Sequence, residues 1–474
     1  MGLRHRLEVI GPEDYERIHN ASLKILQETG IVIQSEEALA VCRHKGAKVS
    51  GETVYFTPKM VNDALKLCKD KYKWQARNNA HSVTVGDGFL VQPNAGPVYI
   101  QDLDKGRRLA TIEDYANIMK LCQASNVVSL VGAHPVNPSD VEDGEKHLHM
   151  MFQILKNTDK PVLGYVSGGW QARQMLDMLE IAFGRKDFLM ENHCAGVSVN
   201  PLSPLGWVTD AVETLMEYAK RNQAVFLLPC IMAGMSGPMS LLGTVVLQNT
   251  EILSGIVLTK LINPSAPVVY SPSSSVANMK KASYITGTPE GMLINIANLQ
   301  MALNYYHLPT RTMCGMTDAK TVDCQAGYET MQNIMMGMLG GAHIIVECLG
   351  VLDAIMTTSY EKFIIDEEII DRVIRIERGI DTSEEALATE IIQEVGHNGT
   401  YLTHPSTFEH FRESWRPTVS DWDLYQDWQE SGAEDVVTRA NKRYKQILAS
   451  APSSLLDPEV EAELLSYMNR VKKL

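Results

Sequence analysis

Apolar residues fall along this chain in two rhythms. Up to about residue 88 they recur three and four positions apart. Ile18, Leu23, Ile25 and Leu26 follow Pro12-Glu13-Asp14, and Met60, Val61, Ala64 and Leu65 follow Pro58. Residues so spaced share one face of a helix, and a proline in the first helical turn sacrifices no hydrogen bond, so this stretch predicts helices. From Phe89 the rhythm changes. Short apolar runs recur at Phe89–Pro93, Val127–Ala133, Pro161–Val166, Ala195–Val199, Ala224–Leu228, Pro267–Tyr270, Pro309–Cys314 and Ala342–Val346. Such runs, rich in Val and Ile, fit strands of a parallel sheet covered on both faces. Between them Gln171–Phe183, Val208–Arg221, Leu242–Leu261, Gly291–Tyr306 and Ala326–Leu339 keep the helical period.

Eight strand-and-helix units between residues 89 and 348 predict an α/β fold, a (β/α)₈ TIM barrel. No GxGxxG follows any of the runs, which disfavours an open dinucleotide-binding sheet. The expected organisation is a helical N-terminal region over 1–88, the barrel over 89–350 and a helical C-terminal region over 351–474 packed on it. In the last region Thr382–Val395 and Glu459–Lys473 read as helices, and Trp415–Trp428 as a loop lying on the body.

Composition narrows the function. Hydrophobic residues are 45% of the chain and charged residues 21%, which excludes a mainly disordered protein. Lys and Arg number 43 against 57 Asp and Glu, a net charge of −14. That balance gives no electrostatic case for nucleic acid or an anionic membrane surface, and it suits a cationic ligand. No charge-free apolar run reaches membrane-spanning length, and the first residues lack the apolar core of a signal peptide. The eight cysteines are scattered without a CxxC pair, so a reducing cytoplasm is expected rather than a disulfide framework or a zinc ribbon.

In a barrel, the residues after each strand face the active site. Here they are Asn94, His134, Ser167, Asn200, Cys230, Ser271, Met316 and Glu347. They include no HxH, no HExxH and no cluster with metal-ligand spacing, so no metal site is expected. Lysine is nearly missing among them, which argues against a Schiff base. Neutral polar, sulfur-bearing and aromatic groups could hold an organic cation. Asp318, just past the seventh run, could orient a ligand or cap the next helix.

Three segments carry a resemblance. They are Gly234–Ile262, with Gly243-Thr244, Asn249 and Glu251–Leu258; Lys280–Gly287 with Pro289-Glu290-Gly291; and Thr317-Asp318-Ala319-Lys320 through Asp323 and Gln325-Ala326-Gly327 to Glu329. The similarity continues through Gly340–Leu352, Ile364-Ile365-Asp366 and Thr382–Val395. In these the chain resembles the trimethylamine methyltransferase superfamily. The resemblance implies transfer of an amine methyl group to cob(I)alamin on a separate, cognate corrinoid protein, with no cofactor held tightly by the chain itself. In the family's trimethylamine enzymes pyrrolysine stands just before the Thr317–Lys320 equivalent; here the residue is Met316, or Gly315 with one residue of slippage. That departure implies a quaternary-amine enzyme, with glycine betaine as leading substrate and proline betaine or carnitine as alternatives. A barrel lyase or isomerase, or a betaine-binding protein without transfer, is the competing reading.

Met316, Asp318 and Glu347 are the candidates for the reacting centre. Tyr99, Trp170 and Tyr360 are candidates for a cation cage. Donors for a betaine carboxylate are His134, Asn94 or Asn200, or backbone N–H groups, with Arg311 ranked last because it precedes its strand end. A homo-oligomer is expected.

Overall fold

The computed structural model describes residues 5–132 and 134–472. Ala133, in the second predicted strand, lies outside the described residues. Eight short parallel strands surround one axis: β1 (Leu90–Val91), β2 (Val131–Gly132), β3 (Val162–Gly164), β4 (Ala195–Val199), β5 (Ala224–Leu227), β6 (Val268–Tyr270), β7 (Arg311–Met313) and β8 (Ile344–Val346). Strands β2 to β6 pair in sequence order, as do β7, β8 and β1. A parallel bridge between Tyr270 and Thr310 joins β6 to β7. The N–H groups of Ser129 and Leu130 donate to the Val91 carbonyl at 2.9 and 3.1 Å and close the ring between β1 and β2. Each predicted run holds one of these strands.

Eight helices follow the strands: α1 (Ile112–Ala124), α2 (Lys146–Asn157), α3 (Gly169–Phe183), α4 (Thr209–Lys220), α5 (Leu241–Ile262), α6 (Pro289–Gln300), α7 (Cys324–Leu339) and α8 (Tyr360–Glu377). Local sequence starts several of them. Thr111 and Asp114 form a capping box on α1, Thr288 caps α6 with Pro289 in its first turn, and Ser359 caps α8. Helix α8 is the barrel's eighth helix and lies beyond residue 350, so the barrel unit runs past the expected boundary. The chain first makes a small sheet, in which 351–352 pairs with 357–359, 357–359 with 99–102, and 99–102 with 106–109. Its strands are too short to show a period.

The N-terminal region is mixed rather than purely helical. Strand Ile31–Ile33 pairs with Thr53–Tyr55 and, in parallel, with Gly206–Trp207 of the β4–α4 loop. A hairpin of Tyr72–Trp74 and Val83–Val85 fills the floor of the barrel. Trp74, fully buried, packs edge-on to Phe226 of β5 with ring centroids 5.7 Å apart. Tyr72, Trp74 and Val85 form one apolar cluster with Leu90, Leu130, Leu163, Ala224, Phe226, Val269 and Ile344. The strand residues in that set alternate with Val91, Val131, Val162, Val225, Val268 and Ile345, which pack in the larger core outside. Alternation along each strand thus separates the axis from the helical layer.

Helix α5 is apolar on all sides, long enough in length and composition to cross a bilayer, and mostly buried. Its outer face is covered by the helices Pro12–Glu28, Glu36–His44 and Pro58–Lys66. Polar side chains stitch that contact. Asn249 of α5 donates to the Ser22 hydroxyl at 2.9 Å and to the Tyr306 hydroxyl at 3.0 Å, and Tyr306 also meets His19 at 3.0 Å.

At the other end, Val436–Ser450 packs on α8 and α1, and Pro458–Val471 on α3 and α2. The segment between them is pinned at Glu368 of α8, whose carboxylate accepts the N–H groups of Thr418, Val419 and Ser420 at 2.7–3.1 Å. The Ser420 hydroxyl, which also donates to it, and those bonds hold the Glu368 carboxyl down at about 2 despite its burial.

Trp74→Ala empties the floor of the axis. It is expected to lower unfolding stability by about 3–5 kcal/mol, read by urea unfolding followed by circular dichroism.

Candidate active site

Above the Trp74 floor the axis turns polar. Arg311 opens β7 on the inward face, two residues before Met313. It is 1% exposed, its Nε donates to the Gln92 Oε1 at 2.9 Å, and its guanidinium lies 5.8 Å from the Phe226 ring centroid. Burial pulls its pKa down to about 10, against the pull of nearby Glu347.

Glu347 follows β8 and is fully buried. Ile344 and Val346 face inward, so alternation would turn Glu347 outward. Its backbone instead takes φ +58, a left-handed conformation that a non-glycine residue adopts at a cost. The carboxylate accepts the Ala95 N–H at 2.9 and 3.1 Å from its two oxygens. Burial pushes its pKa up to about 8; the Ala95 N–H and the Arg311 charge only partly offset this.

His134 and Tyr165 follow β2 and β3, with ring centroids 5.0 Å apart. Burial pushes the imidazole pKa down to about 4, so His134 is neutral at ordinary pH, and its Nδ1 has no partner among the described residues. Cys230 and Tyr284 are neighbours beside Glu347, and burial raises the Cys230 thiol to about 11, an unreactive value. The Tyr284 hydroxyl donates to the Ser273 carbonyl at 2.8 Å. Met316 is buried among Leu228, Met313, Val346 and Val351, and its carbonyl accepts from Asn333 at 3.0 Å. Gly315 before it must be glycine, because a Cβ there would lie 1.9 Å from the Cys348 Cα.

Glu347, His134 and Met316 therefore belong to one mouth, and several other candidates are engaged in contacts elsewhere. Asn94 is fully buried and committed: it donates to the Leu349 carbonyl at 2.5 Å and Thr358 Oγ1 at 3.2 Å, and accepts from the Leu349 N–H at 3.2 Å. It ties the loops after β1 and β8. Tyr99 lies in the small sheet with Arg107 stacked 3.6 Å from its ring centroid, so that face is taken by an internal cation. Tyr360, the first residue of α8, stacks on Tyr444 at 4.9 Å and donates to Asp114 at 2.9 Å. It packs between helices. Trp170 is 52% exposed at the start of α3, edge-on to His147 at 5.2 Å.

Asp318 does not cap α7, which Asp323 caps. It accepts the N–H groups of Thr286 and Gly287 at 3.0 and 2.7 Å and so fixes the β6–α6 loop. Asn200 is half-buried and falls on the inward face, in step with Gly196 and Ser198, while Val197 and Val199 pack outward. Tyr165, Tyr284 and Gln92 are not among the residues counted from strand ends, and all three come to this part of the barrel. The first sits in the Gly164–Trp170 turn, and simple alternation from Leu163 would have turned it inward.

A family model described as trimethylamine methyltransferase matches residues 3–474. The chain belongs to the trimethylamine methyltransferase family. It is 37% identical over 98% of its length to the glycine betaine methyltransferase of Desulfitobacterium hafniense (strain Y51), covering 97% of that protein. It is 31% identical over 86% of its length to the proline betaine:corrinoid methyltransferase of Eubacterium limosum, covering 85% of that protein. Among solved structures, the monomethylamine methyltransferase of Methanosarcina barkeri shares the fold, with a TM-score of 0.56 at 10% identity over 94% of this chain and 89% of that one.

The buried Glu347 makes stability depend on pH. Its carboxyl holds its proton more tightly folded, at about 8, than unfolded, near 4.5. Its contribution is complete below pH 4.5 and is lost as the pH rises to 8, at about 1.4 kcal/mol per pH unit. Glu347→Gln removes this dependence. The variant is expected to gain stability over the parent progressively between pH 4.5 and 8 and not beyond, as read by denaturant midpoints across that range.

Proposed function

We propose that this family member transfers a methyl group from a quaternary amine, glycine betaine first, to the cob(I)alamin of a separate corrinoid protein. The observation that carries the reading is Met316, which stands where the resemblance places pyrrolysine. Its thioether is buried in an apolar cluster at the mouth and offers no electrophilic ring to bind and present a tertiary amine. A quaternary nitrogen needs no such help. It already carries full positive charge, so it leaves as a neutral tertiary amine, keeping the electron pair of the broken C–N bond. The cobalt supplies the pair that forms the new bond to the methyl carbon, and no proton moves. The similarity along the whole chain to a glycine betaine methyltransferase supports the choice of substrate.

What the chain must do is bind, orient and exclude water. Glu347, held at a pKa of about 8 by burial, is largely protonated near pH 7; an ammonium head beside it favours loss of that proton, so that it meets the cation as a carboxylate. A neutral His134 adds no repelling charge. The faces of His134 and Tyr165 replace Tyr99 and Tyr360 as the aromatic contacts for a weakly hydrated ammonium head.

Under anaerobic conditions, parent protein with reduced corrinoid protein and glycine betaine is expected to yield methylcobalamin, read by absorbance, with dimethylglycine as co-product. Trimethylamine should yield none. Turnover of trimethylamine without turnover of any betaine overturns the proposal; betaine binding without transfer reduces the protein to a binding module.

Tyr165→Ala is expected to weaken betaine binding by about 0.5–2 kcal/mol, roughly two- to thirty-fold, and Tyr165→Phe much less because the ring face is kept. Tyr360→Phe should leave betaine affinity unchanged. Isothermal titration calorimetry on the three variants decides between a cage at the mouth and one elsewhere.

A further inference from the structure

Among the described residues, eleven buried side-chain polar atoms have no hydrogen-bond partner, and six of them line the barrel axis: Tyr72 Oη, Trp74 Nε1, Gln92 Nε2, His134 Nδ1, Ser198 Oγ and Arg311 Nη1. A buried donor without an acceptor carries its full desolvation cost. Two of these donors are coupled. Arg311 Nε donates to Gln92 Oε1, which satisfies the only acceptor on either side chain and leaves the pair presenting N–H groups alone. The guanidinium is 1% exposed and the amide fully buried. The nearby carboxylate of Glu347 does not take those hydrogens, because its oxygens are turned to the Ala95 N–H. A buried cation and a buried amide with free donors, side by side, are the complement of a carboxylate.

We propose that Arg311 and Gln92 form the subsite that binds the carboxylate of the methyl donor, an assignment that rests on reading that donor as a betaine. The site then alternates in charge along the axis. The guanidinium lies deep, against Phe226 and above the Trp74 floor; the substrate carboxylate follows, then its ammonium, with Glu347 at the mouth. This fixes the direction of the substrate. Its carboxylate points to the floor and its methyl groups point to the open end, where a bulky acceptor has access. It also supplies a basis for selectivity. An amine without a carboxylate leaves the two donors unpaired, so the barrel disfavours trimethylamine at its floor as well as at Met316.

The subsite is tested with the carbon isosteres of glycine betaine, which keep its shape and lack its charged nitrogen. In calorimetric competition on the parent protein, 3,3-dimethylbutanoate is expected to displace betaine, and 3,3-dimethylbutanol to bind weaker by on the order of tenfold to a hundredfold. Equal displacement by acid and alcohol overturns the proposal. Gln92→Glu is nearly isosteric and places a carboxylate beside Arg311 in the subsite itself. It is expected to keep the parent's unfolding midpoint within a few degrees while losing tenfold or more in betaine affinity. Undiminished betaine affinity in this variant also overturns it. If the parent binds no betaine, the proposed function falls, and direct titration of acid against alcohol still decides on the subsite. If the parent transfers a methyl group from betaine and Gln92→Glu does so at the same KM, the function stands and the subsite falls.

Discussion

Eight strands close around an axis that must be filled level by level from the strand faces, because an empty axis forfeits contact energy and a dry polar one forfeits hydrogen bonds. This barrel meets that demand in two ways. Below, a hairpin from outside the barrel inserts Trp74 and completes an apolar plug with Phe226. Above, the filling is polar and incomplete. Arg311 and Gln92 satisfy one another once, and Glu347 is swung inward by a strained backbone to meet Ala95. The plug makes the upper half possible, because it seals the lower end and keeps the medium around Arg311 and Glu347 poor in water. Both groups show it: the first is held below its ordinary pKa and the second well above.

The loops around the mouth are held by networks that do not themselves enter it. Asn94 ties the loop after β1 to that after β8. Asp318 holds the turn at Thr286 and Gly287, and Glu329 accepts the Asp318 N–H at 2.9 Å. Behind them Lys362 bridges Thr330 and Asp366, and Asp366 accepts the Gly350 N–H at 2.7 Å. Asn94 and Asp318 look like site residues in the sequence because they are polar and follow strands. Their chemistry is spent on geometry, which a reaction that depends on alignment alone requires.

The barrel was legible in the sequence because its strands are continuous apolar runs and its helices keep their period, signals that survive without any knowledge of contacts. The site was legible only in part. Glu347, His134 and Met316 could be placed at the mouth by counting from strand ends. Counting could not show that Asn94 would be consumed by Leu349, that Arg107 would lie on Tyr99, or that Tyr360 would begin a helix and face Tyr444. Each depends on a partner some distance away in the chain. Arg311 lies within a strand rather than after it, yet alternation turns such a residue into the axis. The short strands at 31–33, 72–74 and 99–102 were missed because three or four residues cannot display a period.

Helix α5 is an apolar rod whose outer face is covered by helices that precede it in the chain. During synthesis on the ribosome the cover therefore leaves the exit tunnel before the rod does. A segment that could pass for a membrane anchor in composition follows the residues that cover it, among them Ser22 and His19, which meet Asn249 and Tyr306 in the fold. Chain order, and not only the final packing, thus makes the cover available before the most bilayer-like stretch of this protein appears. A circular permutant opened between Lys66 and Phe89 would reverse that order while leaving the α5 contacts themselves unchanged.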